Sequence, residues 1–240
     1  MQENPARVAG AASAFAKGRF QFTESRLKFA PKESMHIRTA TFQISAPSLA
    51  ACPASAQPEF AFIGRSNVGK SSLLNMLAGG KELAKVSGTP GHTQLINFFS
   101  VNNAWTLVDL PGYGFAKTVK KSALDPFQEM IAGYLEGREN LACVFVLIDA
   151  RHPPQRIDLE FVQWLMKGRV PFVLVFTKAD VAKPTQLKTN IALFEEEMAA
   201  WREELPRVFT TSSKTRSGRG ELLAFIEQAL ASKLRCAATD

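Results

Sequence analysis

The stretch of sequence that decides the fold is FAFIGRSNVGKS, residues 60–71. It begins as an apolar run that is typical of a buried strand, and it ends in the pattern G-x-x-x-x-G-K-S before a helical sequence. Gly64 and Gly69 allow the backbone to curl so that its N–H groups point inward, and the positive end of the following helix strengthens their attraction for anions. The stretch therefore predicts a phosphate-binding loop between a strand and a helix.

Two side chains at the end of this loop have separate predicted roles. Lys70 can reach the β- and γ-phosphates of a nucleotide, and the Ser71 hydroxyl can bind Mg²⁺ beside phosphate oxygens and water. An ordinary glycine-rich turn is disfavoured because a strand-like segment precedes the loop and a helical one follows it. The predicted nucleotide contacts of the loop are Gly64, Arg65, Ser66, Asn67, Val68, Gly69, Lys70, Ser71 and Ser72.

Length and composition exclude several classes of protein. A chain of 240 residues with 46% hydrophobic content suits one α/β domain with appendages. The longest apolar run, 141–148, is far shorter than the roughly 18 residues of a membrane helix and predicts a buried strand, so no membrane partner is expected. Cys52, Cys143 and Cys236 are widely spaced and form no C-x-x-C pair, which argues against a disulfide framework or a zinc site. A reducing cytosol is expected.

The chain carries a net positive charge, and its first 34 residues are basic and lack a regular pattern. The 29 Lys and Arg against 22 Asp and Glu give a formal charge of +7, which favours a polyanionic partner. Residues 1–34 carry scattered basic side chains without periodicity and predict a disordered basic extension before a folded domain at 35–240. Two alternatives stay open for the extension: an organellar transit peptide, against which its three Glu argue, and translation that starts at Met35.

The first half of the domain predicts strands separated by loops. Alternating apolar residues indicate an edge strand at 39–44, and 59–63 reads as a central strand. The segments 95–101 and 105–109 should form a hairpin around the turn residues Asn102 and Asn103. The segment Lys81 to Thr93 contains Gly and Pro without periodicity and predicts a mobile loop.

The second half alternates between helices and strands. The predicted strands are 142–149, 172–177 and 207–211. The predicted helices lie near 125–135 and 157–166, then in a segment marked by Leu187, Ile191, Phe194, Met198 and Trp201, and last in one marked by Leu222, Phe225, Ile226, Ala229 and Leu230. Such alternation predicts a three-layer α/β fold, with a mixed, mainly parallel sheet and helices on both faces.

Polar motifs follow three further strands, and ligands bind at the carboxyl ends of strands in such sheets. In Asp109-Leu110-Pro111-Gly112, the carboxylate can hold Mg²⁺ through water and the Gly112 N–H can sense a γ-phosphate. In Thr177-Lys178-Ala179-Asp180, the Asp180 carboxylate can accept the N1–H and amine donors of guanine, a donor pair that adenine lacks. The last predicted strand ends at Thr211, itself a predicted nucleotide contact, and Ser212-Ser213-Lys214 after it can offer backbone N–H groups to the guanine O6.

Four segments together closely resemble the EngB family of bacterial GTP-binding proteins, also called YihA or YsxC. They are GRSNVGKSS (64–72), GHTQLINFF (91–99), VDLPGYG (108–114) and TKAD (177–180). The resemblance implies a P-loop GTPase fold of the TrmE-Era-EngA-EngB-septin-like superfamily that binds GTP and GDP with Mg²⁺. It implies a further nucleotide-binding loop made of Gly91, His92, Thr93, Gln94 and Leu95. In that loop Thr93 would join Ser71 and Asp109 around Mg²⁺.

The resemblance also implies a role. EngB proteins act in assembly of the large ribosomal subunit in the bacterial cytoplasm and are described as needed for normal cell division and septation. The implied partners are the large-subunit precursor and its ribosomal RNA, and a monomer is expected. Lys70, Thr93 and Gly112 are the residues expected to act on the γ-phosphate.

Three positions bear on turnover. The family usually carries Arg or Lys at position 92, where this chain has His92, so a charge beside the γ-phosphate becomes dependent on pH or is absent. Tyr113 stands where many GTPases have a water-positioning Gln, which predicts slow hydrolysis that a partner stimulates. Asn67 suggests a bound K⁺ ion that offsets phosphate charge.

The sequence thus predicts a guanine-nucleotide switch. GTP and Mg²⁺ would order the loops 81–93 and 112–121, and hydrolysis would release them. Basic residues on or beside these loops could meet RNA phosphates, or could serve only to solvate the loops. They are Lys81, Lys85, Lys117, Lys120 and Lys121. Two other functions stay open: a P-loop kinase of a small molecule, and a scaffold that binds nucleotide without turnover.

Overall fold

The computed structural model describes residues 35–80, 83, 95–113, 126–201 and 204–237. Residues 1–34 lie outside this part, so the predicted extension and the domain boundary at residue 35 stay predictions. The strands are β1 (Ala40–Ala46), β2 (Glu59–Gly64), β3 (Ile96–Val101), β4 (Trp105–Asp109), β5 (Leu141–Asp149), β6 (Phe172–Thr177) and β7 (Val208–Thr210). The helices are α1 (Lys70–Leu77), α2 (Pro126–Gly137), α3 (Arg156–Lys167), α4 (Pro184–Ala199) and α5 (Arg219–Ala237), with a 3-10 helix at Leu49–Ala51.

The strands form one seven-stranded sheet in the order β1-β3-β4-β2-β5-β6-β7. The pairs β1–β3 and β3–β4 are antiparallel, and the four remaining pairs are parallel. This arrangement confirms the predicted α/β fold with a mainly parallel sheet, with β2 in its centre and β1 at its edge. The loops that follow β4, β2, β5, β6 and β7 therefore meet at one edge of the sheet.

Helices cover both faces of the sheet because alternate side chains of each strand point to opposite faces. Phe60 and Phe62 of β2 lie in one buried cluster with side chains of α1 and α5. Ala61 and Ile63 lie in a second cluster with side chains of α2, α3 and α4. The rings of Phe62 and Phe145 stack at 4.6 Å between neighbouring strands. Burial on both faces explains why the parallel strands read as continuous apolar runs.

The β3–β4 hairpin turns at Asn102 and Asn103, as predicted, and both have left-handed backbones with φ of 52° and 53°. Asn102 also holds the chain that enters β1. Its side-chain oxygen accepts from the N–H groups of Arg38 (2.8 Å) and Thr39 (3.1 Å), and its amide donates to the His36 carbonyl (2.8 Å). The turn therefore anchors the edge strand as well as closing the hairpin.

Helix α1 is capped from the far end of the chain. The Arg219 guanidinium, on the first residue of α5, donates to the carbonyls of Met76 (2.8 Å) and Leu77 (2.9 Å). The Met76 carbonyl also accepts from the Gly79 N–H at 3.2 Å, so the guanidinium adds a second donor there and gives the Leu77 carbonyl a donor from outside the helix. Arg219 thus fixes the end of the helix that begins at the phosphate loop.

The structure corrects some details of the sequence prediction. Trp201 was predicted within the fourth helix, but α4 ends at Ala199 and Trp201 lies in the turn beyond it. The edge strand reaches Ala46 and contains an irregularity between Phe42 and Ile44. Of the predicted mobile loop 81–93, Leu83 is described, and its side chain is buried in the core. No helix in the described ranges is long and apolar enough to cross a membrane.

Candidate nucleotide-binding site

The predicted phosphate-binding loop connects β2 to α1. Asn67 and Gly69 have left-handed backbones, with φ of 62° and 102°, and Gly69 directly precedes the helix. Val68 is buried and its N–H bonds to the Arg65 carbonyl at 3.2 Å, which tightens the loop. Ser66 and Asn67 are exposed at the tip. The loop thus leads through a left-handed glycine directly into the helix N-terminus, the arrangement in which the pattern predicts an anion cradle.

The segment after β4 packs directly against this loop. A Cβ atom added to Gly112 would lie 2.6 Å from the Gly64 carbonyl oxygen, which is too close for any side chain. A Cβ on Gly64 would lie 2.9 Å from side-chain atoms of both Leu147 and Val68. Both glycines are therefore required by space rather than by φ. Leu110 and Pro111 are buried, and they fix the segment that carries Gly112.

Lys70 and Asp109 form an ion pair at the centre of the site. Both side chains are shielded, with 16% and 4% of their surface exposed, so the pair lies in a medium where charges interact strongly. Phosphate oxygens would compete for the Lys70 ammonium, and a divalent cation would compete for the Asp109 carboxylate. The two residues thus match the two charges of a metal–phosphate ligand.

The residues present fit a Mg²⁺ ion that is held largely by phosphate and water. Ser71 and Ser72 are exposed on the first turn of α1, and Asp109 supplies a carboxylate beside Lys70. The described residues contain no group of three or more His, Cys, Asp or Glu that could hold a metal, and Mg²⁺ beside phosphates needs none. The predicted ligand Thr93 lies outside the described residues, as do Gly91, His92 and Gln94. Leu95 is exposed just before β3.

The loop after β6 is attached to the phosphate-binding loop. The Thr177 hydroxyl donates to the Val68 carbonyl at 2.6 Å, and the Lys178 ammonium donates to the Asn67 carbonyl at 2.5 Å. Lys178 has a left-handed backbone, with φ of 58°. Asp180 is exposed at the mouth of this loop. Its carboxylate is therefore available to a base bound beside the phosphate-binding loop.

Sequence reasoning missed Asp149, the last residue of β5. Its carboxylate accepts from the Lys178 ammonium (2.8 Å) and from the Arg151 guanidinium (2.7 and 2.9 Å). Burial alone would raise the pKa of Asp149, but the hydrogen bonds from Arg151 and Lys178 outweigh it and hold this pKa well below its ordinary value. The available signal was an acid at the end of a strand with an Arg two residues later.

The loop after β7 is held by its own backbone. The Thr211 N–H bonds to the Phe176 carbonyl at 2.7 Å, and the Ser212 N–H bonds to the Ser217 carbonyl at 3.2 Å. The Thr211 carbonyl accepts from the Ala179 N–H at 3.0 Å, which ties the loop to the one after β6. The Ser212 N–H is already bonded within the loop. Of the three N–H groups predicted to donate to the guanine O6, those of Ser213 and Lys214 therefore remain as candidates.

Comparison with known proteins decides the family. Residues 59–178 match the family model described as 50S ribosome-binding GTPase. A protein of Christiangramia forsetii described as a probable GTP-binding protein EngB is 53% identical over 193 residues, which cover 80% of this chain and 97% of the relative. The chain belongs to the EngB family of GTP-binding proteins. An EngB relative from Bacteroides fragilis is 52% identical over 193 residues, with 80% and 96% of the two chains covered.

Solved structures show the same fold. The crystal structure of a probable EngB protein matches with a TM-score of 0.58 at 23% identity and covers 72% of this chain and 99% of its own. Era in complex with MgGDPNP and nucleotides 1506–1542 of 16S ribosomal RNA matches with a TM-score of 0.51 at 24% identity, covering 72% and 56%. Membership in the EngB family confirms the resemblance of the motifs, and with it GTP and GDP as the ligands.

Proposed function

We propose that this EngB-family protein is a slow GTP hydrolase that switches its contacts with the precursor of the large ribosomal subunit. The observation that carries the proposal is the close packing of Gly112 on the phosphate-binding loop. The backbone of Gly112 thus lies beside the loop that is predicted to hold the phosphates, where its N–H would detect the presence of a γ-phosphate. The nucleotide state would then be passed to the chain after Gly112.

Ser71, Asp109 and Thr93 are the proposed residues around Mg²⁺. When bound, the ion would neutralise charge between the β- and γ-phosphates. Lys70 would leave the Asp109 carboxylate and donate to the same phosphates. These exchanges keep every charge of the site paired, because each partner of the Lys70–Asp109 ion pair gains an opposite charge from the ligand.

Slow turnover follows from the residue after Gly112. The Tyr113 phenol cannot orient an attacking water as a Gln amide does, so Lys70, Gly112 and Thr93 would have to stabilise the transition state without that help. A partner on the ribosome would then supply the missing group. Asn67, exposed at the tip of the loop, is the proposed residue beside a K⁺ ion that would assist it.

The ribosomal partner is supported by the family description and by charge. The matching family is described as ribosome-binding, and the structurally similar Era was solved with 16S ribosomal RNA. A formal charge of +7 suits contact with RNA phosphates. Action in the bacterial cytoplasm as a monomer, and a contribution to cell division and septation through ribosome supply, complete the proposal.

The proposal is tested by binding of the full chain to large-subunit particles at several salt concentrations. Binding should be tighter with a non-hydrolysable GTP analogue than with GDP, and it should weaken steeply with salt because RNA counterions are released. Replacing Lys117, Lys120 and Lys121 with Ala should weaken binding and flatten its salt dependence. Deleting residues 1–34 is the control, and it should leave the preference for the GTP form intact.

The other two functions are separated by nucleotide selectivity and single-turnover hydrolysis. Equal affinity for ATP and GTP would favour a kinase of a small molecule. GTP binding without any hydrolysis, in the presence of large-subunit particles, would favour a scaffold. Selective GTP binding with slow hydrolysis supports the proposed switch.

A further inference from the structure

Tyr113, the residue that follows Gly112, is held by a carboxylate of helix α3. Its hydroxyl donates to Asp158 Oδ1 at 2.8 Å. The other oxygen of this carboxylate, Oδ2, lies 3.6 Å from Nη1 of Arg65 in the phosphate-binding loop. One carboxylate therefore contacts both of the loops that Gly64 and Gly112 bring together.

The aromatic ring of Tyr113 is fixed as well. It stacks on Phe161 of α3 with 4.3 Å between the ring centres and 18° between the planes. Phe161 in turn stacks on Trp164 at 5.9 Å. Ring and hydroxyl are thus both bound to α3, which leaves the side chain of Tyr113 little freedom while these contacts last. The backbone of Gly112 is anchored from its C-terminal side by this attachment.

Asp158 is unusual because its carboxylate is buried. Only 2% of the residue is exposed, and burying a carboxylate is costly unless it is paired and hydrogen-bonded. Burial raises the pKa of Asp158, while the hydrogen bond from Tyr113 and the charge of Arg65 act against that rise. Both stabilising side chains come from loops of the nucleotide site rather than from the core of the sheet. The burial of the Asp158 carboxylate is therefore explained by its contacts with Tyr113 and Arg65, one from each of the two loops.

We propose that Asp158 is a positioning residue for GTP hydrolysis. Its carboxylate links Arg65 to Tyr113 and so holds Gly112 against the phosphate-binding loop. The inference rests on the proposed hydrolase function. A donor stabilises a transition state best when it is already in place, because no free energy is then spent on ordering it during the reaction. Asp158 supplies that order from outside the site and touches no phosphate itself.

Hydrolysis measured in a single turnover at saturating GTP is the first test. Asp158→Ala and Tyr113→Phe should each lower the rate by about fivefold to tenfold, whereas GDP affinity should change by less than about twofold because GDP has no γ-phosphate to position. The double variant should be no slower than Asp158→Ala, since both changes break the same link. Asp158→Asn keeps an acceptor for Tyr113 and should recover part of the rate.

A matched control lies on the same helix. Glu160→Gln also removes one carboxylate from α3, but Glu160 pairs with Arg156 on the exposed surface and should leave the rate unchanged. Additive losses in the double variant would overturn the positioning role, as would equal rates of the wild-type protein and Asp158→Ala. Wild-type protein that does not hydrolyse GTP at all, even with large-subunit particles, would instead refute the proposed hydrolase function.

Fluorine NMR gives a second measurement that does not depend on turnover. The chain has two tyrosines, so labelling with 3-fluorotyrosine should give two signals, and Tyr113→Phe identifies one of them. The Tyr113 signal should move in Asp158→Ala, because this change removes the acceptor of its hydroxyl. The signal of Tyr134, whose hydroxyl donates to Glu59 at the opposite end of β2, should stay in place. An unmoved Tyr113 signal in Asp158→Ala would show that the link is absent in solution and would overturn the inference.

Discussion

The ammonium group of Lys178 lies 2.8 Å from the carboxylate of Asp149, across the ends of two neighbouring parallel strands. The same ammonium donates to the carbonyl of Asn67 in the phosphate-binding loop. Lys178 therefore connects the loop expected to meet the base with the loop expected to meet the phosphates. Asp149 thereby fixes the Lys178 side chain, whose stem is expected to lie over the plane of the guanine base.

Asp149→Ala should weaken GDP binding by about tenfold, because the freed Lys178 must be ordered again whenever nucleotide binds. Asp149→Asn keeps one acceptor and should lose less. Titration with a fluorescent GDP derivative measures both. Glu160→Gln, which removes an exposed carboxylate outside the site, should bind GDP as the wild type does. Unchanged affinity in Asp149→Ala would show that Lys178 needs no anchor.

The same carboxylate should make stability sensitive to acid. Because the folded-state pKa of Asp149 lies below its ordinary value, ionised Asp149 stabilises the fold at neutral pH, and this contribution disappears as the pH falls through the folded-state pKa. The loss begins near the ordinary carboxyl pKa of about 4, where the unfolded chain takes up its proton. The difference in unfolding free energy between wild type and Asp149→Asn should therefore shrink below about pH 4. Denaturant titrations at pH 7, 4 and 3 test this, and a constant difference would contradict it.

Asp180→Asn should weaken both GTP and GDP binding by about 2 kcal/mol or more, since the amide cannot accept the two guanine donors as a carboxylate does. Binding of xanthosine nucleotides should improve, because their altered edge suits an amide. Competition binding with both nucleotide classes gives the comparison. If GDP affinity were unchanged, Asp180 would not be the residue that reads the base.

Gly112→Ala should slow hydrolysis by more than about tenfold, because the added methyl group would displace the segment from the phosphate-binding loop and remove a donor from the γ-phosphate. GDP binding should change little. Gly133→Ala is the matched control: its Cβ would lie 3.6 Å from Leu49, an ordinary contact, and Ala stabilises a helix relative to Gly. Wild-type turnover in Gly112→Ala would exclude the proposed sensor.

Hydrolysis should be at least about twofold faster in KCl than in NaCl at equal ionic strength, if a K⁺ ion beside Asn67 offsets phosphate charge. Asn67→Gly keeps a residue that tolerates the left-handed backbone and removes the amide, so it should abolish the preference. Single-turnover rates in the two salts provide the readout. Equal rates for the wild type would leave a group supplied by the ribosome as the explanation for stimulation.

The fold was predictable because local patterns determine it. Alternating apolar and polar residues indicated β1, and continuous apolar runs indicated β5 and β6. The pattern G-x-x-x-x-G-K-S indicated the phosphate-binding loop. Motifs placed at strand ends were also predictable as neighbours, because parallel strands bring their carboxyl ends to one edge. Trp201 was misassigned because its helical spacing continues the apolar stripe of α4 beyond the last helical residue.

The contacts between side chains were not predictable. Asp149 looks like any solvated acid at the end of a strand until Lys178, 29 residues later, is seen to reach it. Asp158 and Tyr113 are 45 residues apart, and neither belongs to a pattern that names the other. Such pairs depend on how helices pack against loops, which periodicity does not encode. The sequence therefore predicted where the site lies, but it did not predict the side-chain contacts of Asp149 and Asp158 that support it.

The cap that Arg219 places on α1 has a consequence for the order in which the protein is made. Arg219 follows Met76 by 143 residues, so the ribosome has nearly finished the chain before the helix that begins at Lys70 receives its last hydrogen bonds. The loop expected to meet the guanine base, after Thr211, also emerges late. An incomplete chain therefore has its phosphate-binding loop without the cap or the base-binding loop. Full nucleotide affinity is therefore expected only once the chain has been synthesised beyond Arg219 and has folded.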